Sequence, residues 1–196
     1  MKQNNEIKGN NQKSKWRDIE NDDLKEQNLT DFLTNSIVYS KKYWRPNAVA
    51  YISFAMRNIH HLLKTLDEAD IHYPIPIIWN KDAFNISWNR YHPDYEVIVY
   101  CGPGSIPTGK NSRWYGPNNE RCVWNIKREA SSTYVHPTQK PIEVCARAIR
   151  NSSIESEVVL DLFGGSGSTL IAAEQLNRKC IMMEMSEKYC EVIALR

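Results

Sequence analysis

A chain of 196 residues with 41% hydrophobic and 24% charged content is long enough for one buried core and ordinary in composition for a globular protein. Its formal net charge of +2 is too small to argue for nucleic acid binding by itself, and without an export-type apolar segment or an apolar run of about 18 residues, neither secretion nor membrane insertion is expected. Cys101, Cys122, Cys145, Cys180 and Cys190 show no C-x-x-C spacing and three of them lie in apolar runs, so a cytoplasmic protein with reduced thiols, no structural disulfide and no metal site is expected.

Residues 1–28 are dominated by Asn, Gln, Lys and Asp and read as a disordered polar arm. From Leu29 the pattern changes. Leu29, Phe32, Leu33 and Ile37 recur at helical spacing, which predicts a helix continuing to Trp44 and stopped by Arg45-Pro46. Ala48 to Phe54 reads as a buried strand. A second helix carries Ile59, Leu62, Leu63 and Leu66 on one face, and His60 and His61 fall off that stripe as solvent histidines. Ile75 to Trp79 and Glu96 to Tyr100 are two further strands, joined by a long loop with Phe84, Trp88 and Tyr91; Pro74 and Pro76 push the first towards a sheet edge.

Gly102 to Tyr134 is the least regular stretch, with Gly, Pro, Asn and Ser interleaved with Trp114, Tyr115 and Trp124. Between Gly102 and Lys140 the cations Lys110, Arg113, Arg121, Lys127, Arg128 and Lys140 face only Glu120 and Glu129, a local charge of +4. Such a stretch can meet nucleic acid through phosphates and stacking, and it can equally be solvated loop with anchoring tryptophans. His136-Pro137-Thr138-Gln139-Lys140-Pro141 opens the next helix, with Thr138 as candidate N-cap and Pro141 in the first turn. Ile142, Cys145, Ala146 and Ile149 form its buried face, and it ends at Asn151-Ser152-Ser153.

Val158 to Thr169 reads strand, tight turn, helix: an apolar β-branched run breaks into Gly164, Gly165 and Gly167 just before Leu170-Ile171-Ala172-Ala173. Glycines there let the backbone approach a ligand, and the helix start offers unpaired N–H groups. The dinucleotide pattern G-x-G-x-x-G, counted from Gly165, lacks its third glycine, which disfavours a nicotinamide cofactor. A second strand, Cys180 to Glu184, and a short last helix with Tyr189, Val192 and Ile193 complete an alternation that points to an α/β fold with a largely parallel sheet. An ordinary α/β turn with a surface glutamate is the plainer alternative.

Asp161-x-Phe163-x-Gly165-x-Gly167 followed by Glu184 resembles the S-adenosyl-L-methionine loop of methyltransferases. Its pairing with His136-Pro137-Thr138-Gln139-Lys140-Pro141, about 20 residues upstream, resembles the permuted DNA amino-methyltransferases that act on adenine N6 or cytosine N4. The resemblance covers the chain from Ile19-Glu20-Asn21-Asp22-Asp23-Leu24 onward. It implies a Rossmann-like methyltransferase sheet with a loop-rich recognition insert, restriction–modification chemistry and double-stranded DNA as partner. On that pattern 29–101 is the remainder of the catalytic half, 102–135 the recognition insert and 136–196 the cofactor half. Asp161, Phe163, Gly164, Gly165, Ser166 and Gly167 would cradle the cofactor, Glu184 would hold its ribose, and Thr138, His136 and Lys140 would close the methionine end. Lys110, Arg113, Arg121, Lys127 and Arg128 would face DNA.

The sequence departs from the family in one respect. The catalytic tetrapeptide, an acidic or amide residue, two prolines and an aromatic, should precede Ile19, and residues 1–18 contain no proline. His92-Pro93-Asp94-Tyr95 has one proline and reads as a loop turn. No catalytic residue is therefore assigned, the sheet is expected to be incomplete, and a complementing chain or self-association is expected. The rival readings are an inactive methyltransferase-like module, a methyltransferase for RNA or a small molecule, and a nicotinamide enzyme.

Overall fold

In the computed structural model, which describes residues 24–84, 90–104, 113–130, 132 and 134–196, the chain runs α1 (Glu26–Lys41), β1 (Ala50–Phe54), a 3-10 turn, α2 (Ile59–Glu68), β2 (Ile71–His72), β3 (Pro76–Asn80), β4 (Tyr95–Pro103), β5 (Val123–Asn125), α3 (Ile142–Ser152), β6 (Val158–Asp161), α4 (Ser168–Gln175), β7 (Lys179–Met182) and α5 (Glu187–Leu195). The expected arm at 1–28 falls mostly outside these residues, and its last part is helical because α1 already starts at Glu26. Leu29, Leu33 and Ile37 are its buried stripe; the helix ends at Lys41, and Trp44 beyond it packs onto the same core.

β4 is the axis of the larger sheet, in the order β1-β4-β3-β5 with β2 also on β4. Its alternate residues serve two cores. Val97, Val99 and Cys101 meet Leu29, Leu33, Leu62 and Leu66 of α1 and α2, while Ile98 on the opposite face joins Ile77, Trp79, Trp124 and Val144. α3 bridges to the rest of the molecule: Val144 faces the large sheet, and Ala146 and Ile149 face Ala172 and Ala173 of α4. β6 and β7 form a parallel pair, and Val159 and Cys180 pack beneath α3 and α4.

Five expectations are corrected. The larger sheet is mainly antiparallel, because β3 returns to β4 without a crossover helix; among the described strand pairs β3–β5 and β6–β7 are parallel. β3 is not an edge strand, since it lies between β4 and β5; Pro76 is tolerated as its first residue, before β5 pairing begins at Ile78. Within the stretch read as irregular, β5 joins the sheet and Trp124 is fully buried. Thr138 does not cap α3, whose N-cap is Pro141; the Thr138 hydroxyl lies 3.1 Å from His136 Nδ1 instead. His61 also departs from a purely solvent role, with Nδ1 2.9 Å from Thr30 Oγ1 across the α1–α2 contact.

Candidate cofactor site

At the carboxyl end of β6 the chain turns into α4 through two left-handed glycines, Gly165 at φ +54° and Gly167 at φ +79°. An L side chain is strained in that region, and a Cβ at Gly165 would stand 3.6 Å from the His136 ring. The turn is tied at both ends: Phe163 N–H donates to Asp161 Oδ1 at 2.9 Å, and Gly164 N–H to the Met183 carbonyl at 2.8 Å. Gly167 is the N-cap of α4, so the first amides of that helix open at the turn.

Glu184, just past β7, closes the other side. Its Oε2 accepts the Gly165 N–H at 2.7 Å and its Oε1 the Ser186 N–H at 2.8 Å. His136 is buried against Tyr189 of α5, ring centroids 4.2 Å apart, and its Nδ1 accepts the Thr138 N–H at 3.2 Å. Ser166 and Ser168 are buried beneath the turn, and the Ser168 hydroxyl donates to the Lys140 carbonyl at 2.7 Å. The structure thus brings together Asp161, Phe163, Gly164, Gly165, Ser166, Gly167, Glu184, His136 and Thr138. The set offers carboxylate acceptors, helix-start donors and a buried imidazole to a polar organic ligand.

Lys140 enters by its backbone only. Its ammonium lies 3.6 Å from Glu96 Oε2, whose Oε1 is 2.8 Å from Lys81 Nζ; Ser53 Oγ donates to Oε2 at 3.1 Å. Burial works against the Glu96 charge, and Lys140 with Lys81 outweighs it, holding the carboxyl below its ordinary range. Sequence reading missed Glu96, Lys81, Tyr189 and Phe32. Phe32 of α1 stands 5.7 Å from Phe163, centroid to centroid. Phe32 and Tyr189 carried a signal only as apolar positions of the first and last helices; Glu96 and Lys81 carried none, since Glu96 meets Lys140 across 44 residues of chain and Lys81 enters through Glu96.

The basic candidates are dispersed. Arg121 and Lys127 are exposed and flank β5. Arg113 pairs with Glu157, and Arg128 donates from Nε to the Tyr134 hydroxyl at 2.8 Å. Lys110 lies outside the described residues.

Comparison with known proteins places this geometry in a family. The chain is 26% identical over 181 residues to the type II methyltransferase M2.LlaDCHI of Lactococcus lactis subsp. cremoris, covering 85% of this chain and 66% of that protein. It is 26% identical over 190 residues to M2.MboI of Moraxella bovis, with 92% and 68% covered. It therefore spans about two thirds of the length of these relatives. Among solved structures, the PvuII cytosine-N4-specific DNA methyltransferase superposes with a TM-score of 0.75 at 18% identity, covering 91% of this chain and 73% of that one. A complex of M1.HpyAVI with S-adenosylmethionine gives 0.68 at 24%, covering 86% and 82%. The family model described as DNA methylase matches residues 5–195, and the chain belongs to that N6/N4 DNA methylase family.

Proposed function

We propose that this chain binds S-adenosyl-L-methionine at the β6–α4 turn and forms the cofactor-binding and recognition portion of a DNA methyltransferase acting on adenine N6 or cytosine N4. The observation that carries the reading is the convergence of Glu184 and His136 on Gly165, where the missing Cβ leaves a cradle bounded by a carboxylate and an imidazole. These residues fit the cofactor. Glu184 is an acceptor suited to ribose hydroxyls, Asp161 and the first amides of α4 suit its polar methionine end, and Thr138 and His136 close the turn from α5's side. When bound, the cofactor supplies an electrophilic methyl group on a sulfonium. What the chain's residues would do is hold and orient that group beside the buried His136, and such positioning lowers the barrier to transfer.

Family membership and the DNA methyltransferase neighbours support DNA as the substrate, and the exposed Arg121 and Lys127 beside β5 support the insert as its contact. Calorimetry with the cofactor and transfer of labelled methyl to duplex DNA test the reading. Cofactor binding at the turn is expected, and a chain that binds nicotinamide cofactor instead refutes it.

A second reading is favoured by the surface of the β6–β7 pair. Val158, Leu160 and Ile181, on the side opposite α3 and α4, are 53%, 46% and 56% exposed, whereas parallel sheets are normally covered on both faces. Among the described residues β1 pairs only with β4, and β6 only with β7. On this reading the exposed strands are met by further strands of the family's sheet, and the 196 residues by themselves are inactive until such strands, another chain or self-association cover that face.

A further inference from the structure

We infer that Glu96 is a positioning residue of the cofactor site, acting through Lys140 to hold the 136–140 loop against the glycine turn. This rests on the function proposed above and adds to it a residue from the opposite sheet.

The 136–140 loop is the piece of chain that brings His136 to Gly165, and contacts of Gln139 and Lys140 help to fix it. Gln139 is buried; its Nε2 donates to Glu129 at 2.6 Å and its Oε1 accepts the Val135 N–H at 3.1 Å. The Lys140 carbonyl accepts from Ser168 at the first turn of α4. The Lys140 ammonium reaches across to Glu96 on β4. This ion pair ties the loop to the larger sheet, and Glu96 is itself held from two further segments, by Ser53 of β1 and Lys81 after β3. A carboxylate fixed on three sides gives Lys140 one preferred place, so the loop is ordered before a ligand arrives and less ordering remains for binding to supply.

The charged groups facing Glu96 are Lys81 and Lys140, and Ser53 adds a neutral hydroxyl. Burial raises the Glu96 carboxyl, but the two ammonium groups more than offset this and hold it below its ordinary value of 4.5. The ion pair is therefore intact at neutral pH and is lost as pH falls through that lowered value.

The test is calorimetry of S-adenosylmethionine binding to the full chain at neutral pH, with thermal melting of every variant. Glu96→Gln is expected to weaken binding about three-fold, the scale of one lost, partly exposed ion pair, while Glu96→Asp recovers part of the loss. Lys140→Met is expected to weaken binding as well, and Glu96→Gln added to Lys140→Met is expected to do no further harm, since both break one interaction. Wild-type affinity is expected to fall more steeply than that of Lys140→Met on acidification below the ordinary glutamate range. If Glu96→Gln melts early, the acid profiles of wild type and Lys140→Met decide alone. Wild-type binding with Glu96→Gln unaffected, fully additive losses, or parallel acid profiles overturn this inference while leaving the proposed function intact. A wild type that binds no cofactor overturns both.

Discussion

The carboxylate of Glu184 accepts the backbone N–H of Gly165 at 2.7 Å, joining the end of β7 to the turn after β6 across 19 residues of chain. A ligand that engages Glu184 must therefore compete with, or add to, a contact that already shapes the turn. Gly165→Val places a β-branched side chain at φ +54° and within reach of His136, and it is expected to abolish cofactor binding at a cost of about 1–2 kcal/mol in stability. Asp161→Ala removes the acceptor for Phe163 N–H and is expected to abolish binding with a smaller loss of stability. Calorimetry and denaturant titration read both; full affinity in the two variants would sink the site.

The basic residues separate into two groups by their partners. Arg121 and Lys127 are exposed beside β5, whereas Arg113 is engaged with Glu157. Replacing Arg121 and Lys127 together is expected to weaken duplex DNA binding and to flatten its logarithmic salt dependence by about 0.9 for each phosphate no longer neutralised. Arg113→Ala is expected to lower stability more than it lowers the salt slope. An unchanged slope in the double variant would remove the insert from the DNA interface.

The thiols report on the fold directly. Burial pushes Cys101 up to about 12 and Cys180 up to about 11, and burial raises Cys145 as well, whereas Cys122 and Cys190 are exposed. Because the thiolate is the reactive form, a disulfide reagent at pH 8 is expected to label Cys122 and Cys190 first and the other three only on unfolding. Rapid labelling of Cys101 in the native chain would contradict the packing of β4 against α1 and α2.

The apolar face of β6 and β7 has a solution consequence. The chain alone is expected to self-associate, and Leu160→Glu with Ile181→Lys is expected to shift it towards monomer without disturbing Val159 and Cys180 beneath α3 and α4. Sedimentation at several concentrations reads the change. A separately made segment carrying the family's upstream strands and tetrapeptide is expected to stabilise the chain and restore some methyl transfer. A monomeric wild type that melts cooperatively and methylates DNA unaided would refute the incomplete-sheet reading.

Local rules were enough for most elements and for the glycine turn. The period of Leu29, Leu33 and Ile37, the stripe of Leu62 and Leu66, and the break from Leu160 into Gly164 and Gly165 are short-range patterns, set by backbone geometry within a few residues. The same holds for the 136–141 loop and the turn, two local motifs that in this order resemble one family. Strand order and direction were another matter, because pairing joins residues far apart in sequence and Pro76 has the same local preference at an edge as at the start of an interior strand. Trp124 has the local surroundings of a loop anchor, and it is the pairing with β3 that makes it a core residue. Glu96 is the sharpest case: an isolated glutamate at the start of β4 carries no motif, and only the fold brings Lys81, Lys140 and Ser53 to its two oxygens. Charge pairing acts through space, so the sequence determined which groups were available and the tertiary structure alone decided which of them meet.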